Sequence, residues 1–163
     1  MHNNDILRSL RFLLKINNAK IAELCKLSGH SIAVEEIECF SKDETDSRYL
    51  QCSNKTMAHF LDGMIIWKRG KDESRPPIPL DTSISNNSVL KKLRVAFQLK
   101  EEDLIAIMNE SGLPFGKSEI SAFLRKKDHR NYRDCGDQVL RNFLKSFAAR
   151  LHRPVPTASS KKI

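Results

Sequence analysis

The chain has 163 residues, of which 40% are hydrophobic, and its formal net charge is +8. This length suits one ordinary domain or two small ones, and the hydrophobic content excludes an intrinsically disordered chain. No apolar run approaches the ~18 residues that a membrane span needs, and the polar start of the sequence lacks the pattern of a secretory signal. The composition therefore predicts a cytoplasmic protein.

The first two predicted helices occupy the start of the chain. The first follows the paired asparagines Asn3-Asn4, which favour N-cap positions. Its apolar residues recur at steps of three and four, which places them on one helical face: Ile6, Leu7, Leu10, Leu13 and Leu14. The second helix carries Ile21, Leu24 and Cys25. It is predicted to end before Gly29, because glycine tolerates the left-handed conformation that follows many helices.

The third and fourth predicted helices complete a four-helix unit. Ile37 and Phe40 mark the third, and the fourth has an apolar face made of Met57, Phe60, Leu61, Met64 and Ile65. Ser53 stands near the start of the fourth helix and suits its N-cap. The unit is predicted to comprise residues 1–70.

A proline-rich segment, residues 71–85, follows this unit. Pro76, Pro77 and Pro79 disfavour a helix and remove backbone donors, so the segment is predicted to be an extended linker. At the other end of the chain, residues 154–163 lack periodicity and are predicted to be a disordered tail.

The segment after the linker repeats the first unit. A shift of 83 residues superimposes the two halves without a gap and gives 14 identities, against about four expected by chance. Each helical face recurs, as Val89, Leu90, Leu93, Ala96 and Phe97, then Leu104, Ile107 and Met108, then Ile120 and Phe123, and finally Leu140, Phe143, Leu144, Phe147 and Ala148. Gly112 matches Gly29, and Asp137 suits the last N-cap. Because strand signals are nearly absent, the sequence predicts an all-α protein of two tandem four-helix repeats, the second comprising residues 86–153.

Tyrosine and cysteine recur in the loop before each fourth helix, as Tyr49 and Cys52 and as Tyr132 and Cys135. A long loop is unfavourable to order unless something holds it. A tyrosine ring packed on the bundle and a small cysteine at the foot of the helix are predicted to act as loop pins. The alternatives are a binding role for the loop and a reactive thiol, which lacks a histidine base that recurs with it. The cysteines and histidines show no zinc-ligand spacing, so no metal or cofactor is predicted.

Three stretches carry a resemblance to a known family: NNDILRSLRFLL, NNSVLKKLRVAFQLK and HRNYRDCGDQVLRNFLK. They resemble the YehS-like family of small bacterial proteins, which have a domain of unknown function in two copies. The resemblance covers nearly the whole chain. It implies an all-helical cytoplasmic protein and brings no activity, cofactor or catalytic residue with it.

The positive charge lies in the second half of the chain. Residues 84–153 carry 14 Lys/Arg against 8 Asp/Glu, a net +6, whereas residues 1–70 carry 10 against 9, a net +1. Such asymmetry predicts an anionic partner, namely the phosphate backbone of RNA or DNA. The alternative is that these cations merely solvate a surface. The predicted phosphate contacts are Lys91, Lys92, Arg94, Arg125, Lys126, Lys127, Arg130, Arg133, Arg141 and Lys145.

Other functions find weaker support in the sequence. The turn between the second and third helices is longer than that of a helix-turn-helix, and Glu35, Glu36 and Glu38 would repel phosphates there. A protein–protein adaptor is the alternative function, with Trp67 and Met64 as a contact surface unless they belong to the core. No self-complementary feature indicates an oligomeric state. The chain has no phosphate-cradling glycine loop, nucleophile elbow or HExxH pattern, so no catalytic site is predicted and the protein is expected not to be an enzyme.

Overall fold

Two sets of four α-helices follow one another along the chain. The computed structural model describes residues 1–76 and 79–154, and these residues form eight helices and no strand. The first set is α1 (Asn3–Leu14), α2 (Asn18–Leu27), α3 (Val34–Phe40) and α4 (Asn54–Arg69). The second set is α5 (Asn86–Phe97), α6 (Glu101–Glu110), α7 (Lys117–Leu124) and α8 (Asp137–Leu151). The predicted all-α class and the tandem four-helix repeats are confirmed.

The connections between helices follow the glycine and proline pattern. The linker contains no helix in its described parts, residues 71–76 and 79–85. Gly29 and Gly112 adopt φ values of +99° and +83° just beyond α2 and α6, which confirms their predicted role. Pro77 and the predicted disordered tail from residue 155 onward lie outside the described residues. None of the described helices has the length and apolar character that a membrane crossing requires.

The helix starts confirm one predicted cap and correct others. The Ser53 hydroxyl oxygen accepts a hydrogen bond from the Thr56 N–H at 3.1 Å, as an N-cap should. The paired asparagines, however, lie inside the first turns of α1 and α5, whose N-caps are His2 and Ser85. Asp137 is likewise the first residue of α8, and Gly136 is its N-cap.

The first helix of each repeat packs mainly against the last helix of the other repeat. Within each repeat, α2 packs on α3 and α4, and α6 packs on α7 and α8. In contrast, α1 packs mainly on α8 of the second repeat, and α5 packs mainly on α4 of the first. The two inter-repeat contacts are therefore equivalent, and the buried apolar residues of both repeats form one continuous cluster. The repeats consequently share one hydrophobic core.

The predicted helical faces supply that core. Most of the apolar residues that the periodicity assigned to them are at most 4% exposed, and Leu14, Ile65 and Phe97 pack at its edge. Burial on this scale contributes roughly 1.5–3 kcal/mol for each large side chain, relative to leaving it in water. The shared core therefore holds α7, α8 and the loop between them in a fixed position.

One core position differs between the repeats in a way that sets helix spacing. Gly63 lets α4 approach α2 so closely that a Cβ at this residue would overlap the Leu24 carbonyl oxygen. The corresponding residue in the second repeat is Ser146, whose buried hydroxyl donates to the Ile107 carbonyl at 2.8 Å. The second repeat thus uses a hydrogen bond where the first uses direct backbone contact.

Candidate nucleic-acid interface

The loop of residues 125–136 joins α7 to α8 and carries many of the predicted phosphate contacts. The buried side chain of Asn87 in α5 bonds to the end of α7 and to two residues of the loop. The Asn87 amide nitrogen donates to the carbonyls of Phe123 at 3.0 Å and Arg133 at 2.8 Å. Its amide oxygen accepts from the Cys135 N–H at 2.9 Å. Because Asn87 is only 3% exposed, these bonds are shielded from water and fix both ends of the loop.

The first repeat uses the same device for the loop of residues 41–53. Asn4 donates to the carbonyls of Phe40 at 3.1 Å and Leu50 at 2.8 Å, and it accepts from the Cys52 N–H at 2.8 Å. The neighbouring asparagines act alike, since Asn3 and Asn86 donate to the Cys52 and Cys135 carbonyls at 3.0 and 2.9 Å. The side chains of the paired asparagines therefore bond to these loops instead of capping the helices.

The recurring tyrosines and cysteines lie beside this hydrogen-bonded lock. Cys52 and Cys135 are 1% and 4% exposed, and burial raises the pKa of each thiol to about 12. A thiol that stays protonated is a poor nucleophile. Tyr49 and Tyr132 are half-buried, and burial together with the Asp134 carboxylate raises the pKa of Tyr132 to about 12. Their predicted role as loop pins stays a prediction, because the bonds that hold the loops come from asparagine.

Four cations of the second loop point to solvent. Lys126, Lys127, Arg130 and Arg133 are all exposed. Within the described residues, none of them forms an ion pair with a carboxylate. Their charges are therefore available to a ligand.

Two acidic side chains of the first loop are bonded within the loop itself. The Asp43 carboxylate accepts from the Thr45 N–H at 3.0 Å and from the Thr45 hydroxyl at 2.8 Å, and these bonds lower the pKa of Asp43. Asp46 accepts from the Arg48 N–H at 2.8 Å and pairs with the Arg48 guanidinium at 3.2 Å, which lowers the pKa of Asp46. This loop has no comparable excess of positive charge.

His129 occupies in the second loop the position of Asp46 in the first. Its Nδ1 accepts from the Asn131 N–H at 3.0 Å, the same turn that the Asp46 carboxylate closes. An imidazole that accepts at Nδ1 carries its proton on Nε2. The loop therefore keeps its turn while exchanging a negative group for a hydrogen-bond donor.

The predicted contacts on α5 divide into two kinds. The Lys92 ammonium pairs with Asp62 of α4 at 2.7 Å, so it joins the two repeats and its charge is already neutralised. The Lys91 ammonium donates to the Arg125 carbonyl at 2.8 Å, which places it where α7 ends. Arg94 and Arg125 are half-buried, and the Nε of each is buried without a hydrogen-bond partner in residues 1–76 and 79–154. Lys91, Arg94 and Arg125 thus form no ion pair within the described part of the chain.

The last two predicted contacts lie on α8. Arg141 and Lys145 are exposed and four residues apart, so they share one face of the helix. The Arg141 guanidinium donates to the Gln138 side-chain oxygen at 3.3 Å. Neither Arg141 nor Lys145 forms an ion pair among the described residues. The two residues therefore form a cationic face on α8.

The remaining predictions concern a contact surface on α4, a helix-turn-helix and a metal site. Met64 is completely buried, so it is a core residue and cannot serve as a contact surface. Trp67 is half-buried beneath Lys20 and Lys68, whose ammonium groups lie 4.9 and 4.3 Å from its ring centroid. Residues 28–33 separate α2 from α3, a longer turn than a helix-turn-helix uses. Among the described residues, no group of three or more His, Cys, Asp or Glu side chains could hold a metal ion.

Comparison with known proteins identifies relatives of this chain. A family model described as "Protein of unknown function (DUF1456)" matches twice, over residues 3–70 and 86–151. "Uncharacterized protein YehS" from Escherichia coli (strain K12) is 43% identical over 152 residues, which cover 93% of this chain and 97% of the relative. No solved structure matches. The two family matches coincide with the two sets of helices.

Proposed function

This chain belongs to the DUF1456 family, whose domain occurs twice and makes up most of its length, and we propose that its second repeat binds the phosphate backbone of RNA or DNA. It does so without catalysis, in the cytoplasm. The proposal rests on the observation that nearly all the predicted cations lack an ion-pair partner among the described residues. Of the ten side chains, Lys92 alone forms an ion pair within the described residues.

Unpaired cations on a fixed surface suit a polyanion. The loop of residues 125–136 is held by buried hydrogen bonds, so its cations are presented without a large loss of backbone entropy on binding. Cations that contact phosphates release condensed counterions, which makes the affinity fall with salt. Such contacts position a protein on nucleic acid and carry little sequence information. The proposed binding is therefore independent of sequence.

The matched first repeat supports a division of labour. Its loop has the same hydrogen-bonded frame but carries Asp43, Glu44 and Asp46 where the second loop carries Lys126, Lys127 and His129. Acidic groups at these positions would repel phosphates. The first repeat is thus assigned to packing and the second to binding.

A salt titration with RNA and DNA oligonucleotides tests the proposal. Binding to the full chain should weaken with a slope of log affinity against log salt of roughly −0.7 for each phosphate contacted on a single strand, and roughly −0.9 on a duplex. Lys126→Glu together with Lys127→Glu should reduce the magnitude of this slope by about two contacts and weaken binding at least tenfold at low salt. Fluorescence anisotropy at several salt concentrations measures both quantities.

A matched control separates these lysines from net charge alone. Lys26→Glu together with Lys55→Glu changes the charge equally on exposed residues of the first repeat, and it should leave the slope nearly unchanged. Helical circular dichroism should stay the same in both double variants. Equal loss of binding in the two double variants, or no binding by the wild type at low salt, would rule the interface out.

A protein–protein adaptor is the competing function, and one observation favours it. Phe12 of α1 is 68% exposed, the largest exposure of any large apolar side chain in the described residues, and its ring lies 5.2 Å from the His152 ring. Exposed aromatic residues are enriched at protein interfaces. Absence of nucleic-acid binding at low salt would favour this function.

A further inference from the structure

Two equivalent arginines, Arg11 and Arg94, lie at the corner where the first helix of each repeat approaches the end of the third. In the first repeat, the Arg11 guanidinium donates to the Ser41 hydroxyl at 2.8 Å and to the Asn18 side-chain oxygen at 2.9 Å. These acceptors lie in a shallow cleft that Arg11 lines. The guanidinium of the first repeat therefore has protein partners.

Arg94 has lost the equivalent acceptors. Leu124 replaces Ser41 and has no hydroxyl group. Glu101 replaces Asn18, but its carboxylate accepts from the Ser121 hydroxyl at 3.2 Å, and it forms no ion pair with Arg94 within 4.0 Å. The Arg94 Nε is buried without a hydrogen-bond partner among the described residues. The Arg94 Nη groups are not buried and form no hydrogen bond within the same residues, so an external anion could accept from them.

Arg125, the residue after Leu124, has unsatisfied donors at the same corner. Its Nε is also buried, with no hydrogen-bond partner in the part of the chain that the structure describes. Its Nη1 lies 3.4 Å from the His129 Nε2. Since His129 accepts a backbone N–H at Nδ1, its Nε2 carries a proton and cannot accept from Arg125. Two donors thus face each other, and an anion's oxygen placed beside both could accept from each.

We infer that Arg94, Arg125 and His129 form a seat for a terminal phosphate group, as found at the end of an oligonucleotide. This inference rests on the proposed function and deepens it. Lys91 adds positive charge, because its ammonium donates to the Arg125 carbonyl at this corner. A terminal phosphate has up to two negative charges and three free oxygens, whereas a backbone phosphodiester has one charge and two free oxygens. Guanidinium groups match several phosphate oxygens at once, so the seat favours the terminal group.

The first repeat lacks this seat for a chemical reason. Asp46 stands in place of His129 and pairs with Arg48, so an anion near it would meet a carboxylate. Lys42 replaces Arg125 and offers a point charge rather than a planar fork. With the Arg11 Nη1 already bonded to Ser41 and Asn18, we place the seat in the second repeat only.

Paired oligonucleotides of one sequence, with a 5′-phosphate or a 5′-hydroxyl end, test the inference on the full chain. The wild type should prefer the phosphorylated end about tenfold, equal to about 1.4 kcal/mol. His129→Asp keeps the turn, because Asp46 closes the same turn in the first repeat, but it places a carboxylate beside Arg125. This variant should bind the phosphorylated and unphosphorylated ends about equally. Arg94→Gln should reduce it at least threefold while retaining the side-chain stem.

Two control variants and one further ligand, pyrophosphate, distinguish the possible outcomes. Asp46→His in the first repeat should leave the preference unchanged, and Lys126→Glu with Lys127→Glu should weaken both oligonucleotides about equally. Equal binding of both ends by the wild type, with the steep salt dependence intact, overturns the seat and leaves the proposed function standing. If neither oligonucleotide binds but pyrophosphate does, and His129→Asp removes that binding, the seat stands and the nucleic-acid function falls. If neither oligonucleotide nor pyrophosphate binds, both proposals are wrong.

Discussion

The loops of residues 41–53 and 125–136 are held by the same hydrogen bonds but differ in the charge of their exposed residues. Each is fixed by a buried asparagine that makes the same three hydrogen bonds, Asn4 in the first repeat and Asn87 in the second. The exposed residues between those bonds differ in charge: in the first loop Asp43 and Asp46 accept from backbone N–H groups, and in the second loop the exposed cations form no ion pair among the described residues. Residues that the copies share thus build the fold, and residues in which they differ are the candidates for function.

Removing the shared frame should have the largest effect. Asn87→Ala deprives the Phe123 carbonyl, the Arg133 carbonyl and the Cys135 N–H of their partner, and each buried unsatisfied group costs about 1–3 kcal/mol. We expect a loss of about 3 kcal/mol in the free energy of unfolding, measured by urea denaturation. Asn4→Ala should lose a similar amount, because its three bonds are equivalent.

An exposed asparagine in the same loop provides the control. Asn131→Ala should change the free energy of unfolding by less than about 0.5 kcal/mol, since only its backbone N–H takes part in the turn. If Asn87→Ala were no more destabilising than Asn131→Ala, the frame would have to be held by Tyr132 and Cys135 instead.

Gly63 and Ser146 occupy the same core position in the two repeats, and their substitution should have the next largest effect on stability. Gly63→Ala must push α4 away from α2, because the added Cβ overlaps the Leu24 carbonyl oxygen, and overpacking of this kind costs about 1–3 kcal/mol. Ser146→Ala removes only the bond to Ile107 and should cost about 1 kcal/mol. Thermal or urea unfolding of both variants ranks them. A Gly63→Ala variant as stable as the wild type would show that the two helices can separate freely.

Sequence patterns predicted the helices well because helical periodicity is local. Leu10 and Leu93, for example, are identical in the two copies, lie on the predicted faces and are completely buried. The asparagine pairs were equally visible as identities, but their role was assigned wrongly. A cap is decided within one turn of the chain, whereas Asn87 bonds to residues 36 to 48 positions away, so its role depends on tertiary structure.

The candidate site was predictable only in its charges. Composition identified the cations, but it could not separate Lys92, whose partner Asp62 belongs to the other repeat, from the unpaired Lys91 next to it. The exchange of first helices has no local signature, because α1 has an apolar face whichever last helix it contacts. His129 was not among the predicted phosphate contacts, and its alignment with Asp46 is the signal that distinguishes it as a candidate.

The inter-repeat ion pair gives the smallest expected effect on stability. Lys92 and Asp62 join α5 to α4, with side chains 34% and 29% exposed, so solvent screens much of their attraction. Asp62→Asn should cost about 0.5–1 kcal/mol at low salt and less at high salt. At the equivalent contact of α1 with α8, the corresponding residues are Ser9 and Lys145.

Ser9→Glu tests whether the two contacts are truly equivalent. If they are, the new carboxylate will pair with Lys145 as Asp62 pairs with Lys92, and the protein should gain up to about 0.5 kcal/mol. The same pair would neutralise a predicted phosphate contact, so the slope of log affinity against log salt should fall in magnitude by roughly one contact. A change in binding without a change in stability would place Lys145 beyond the reach of residue 9. No change in the slope would remove Lys145, and with it the α8 face, from the proposed interface.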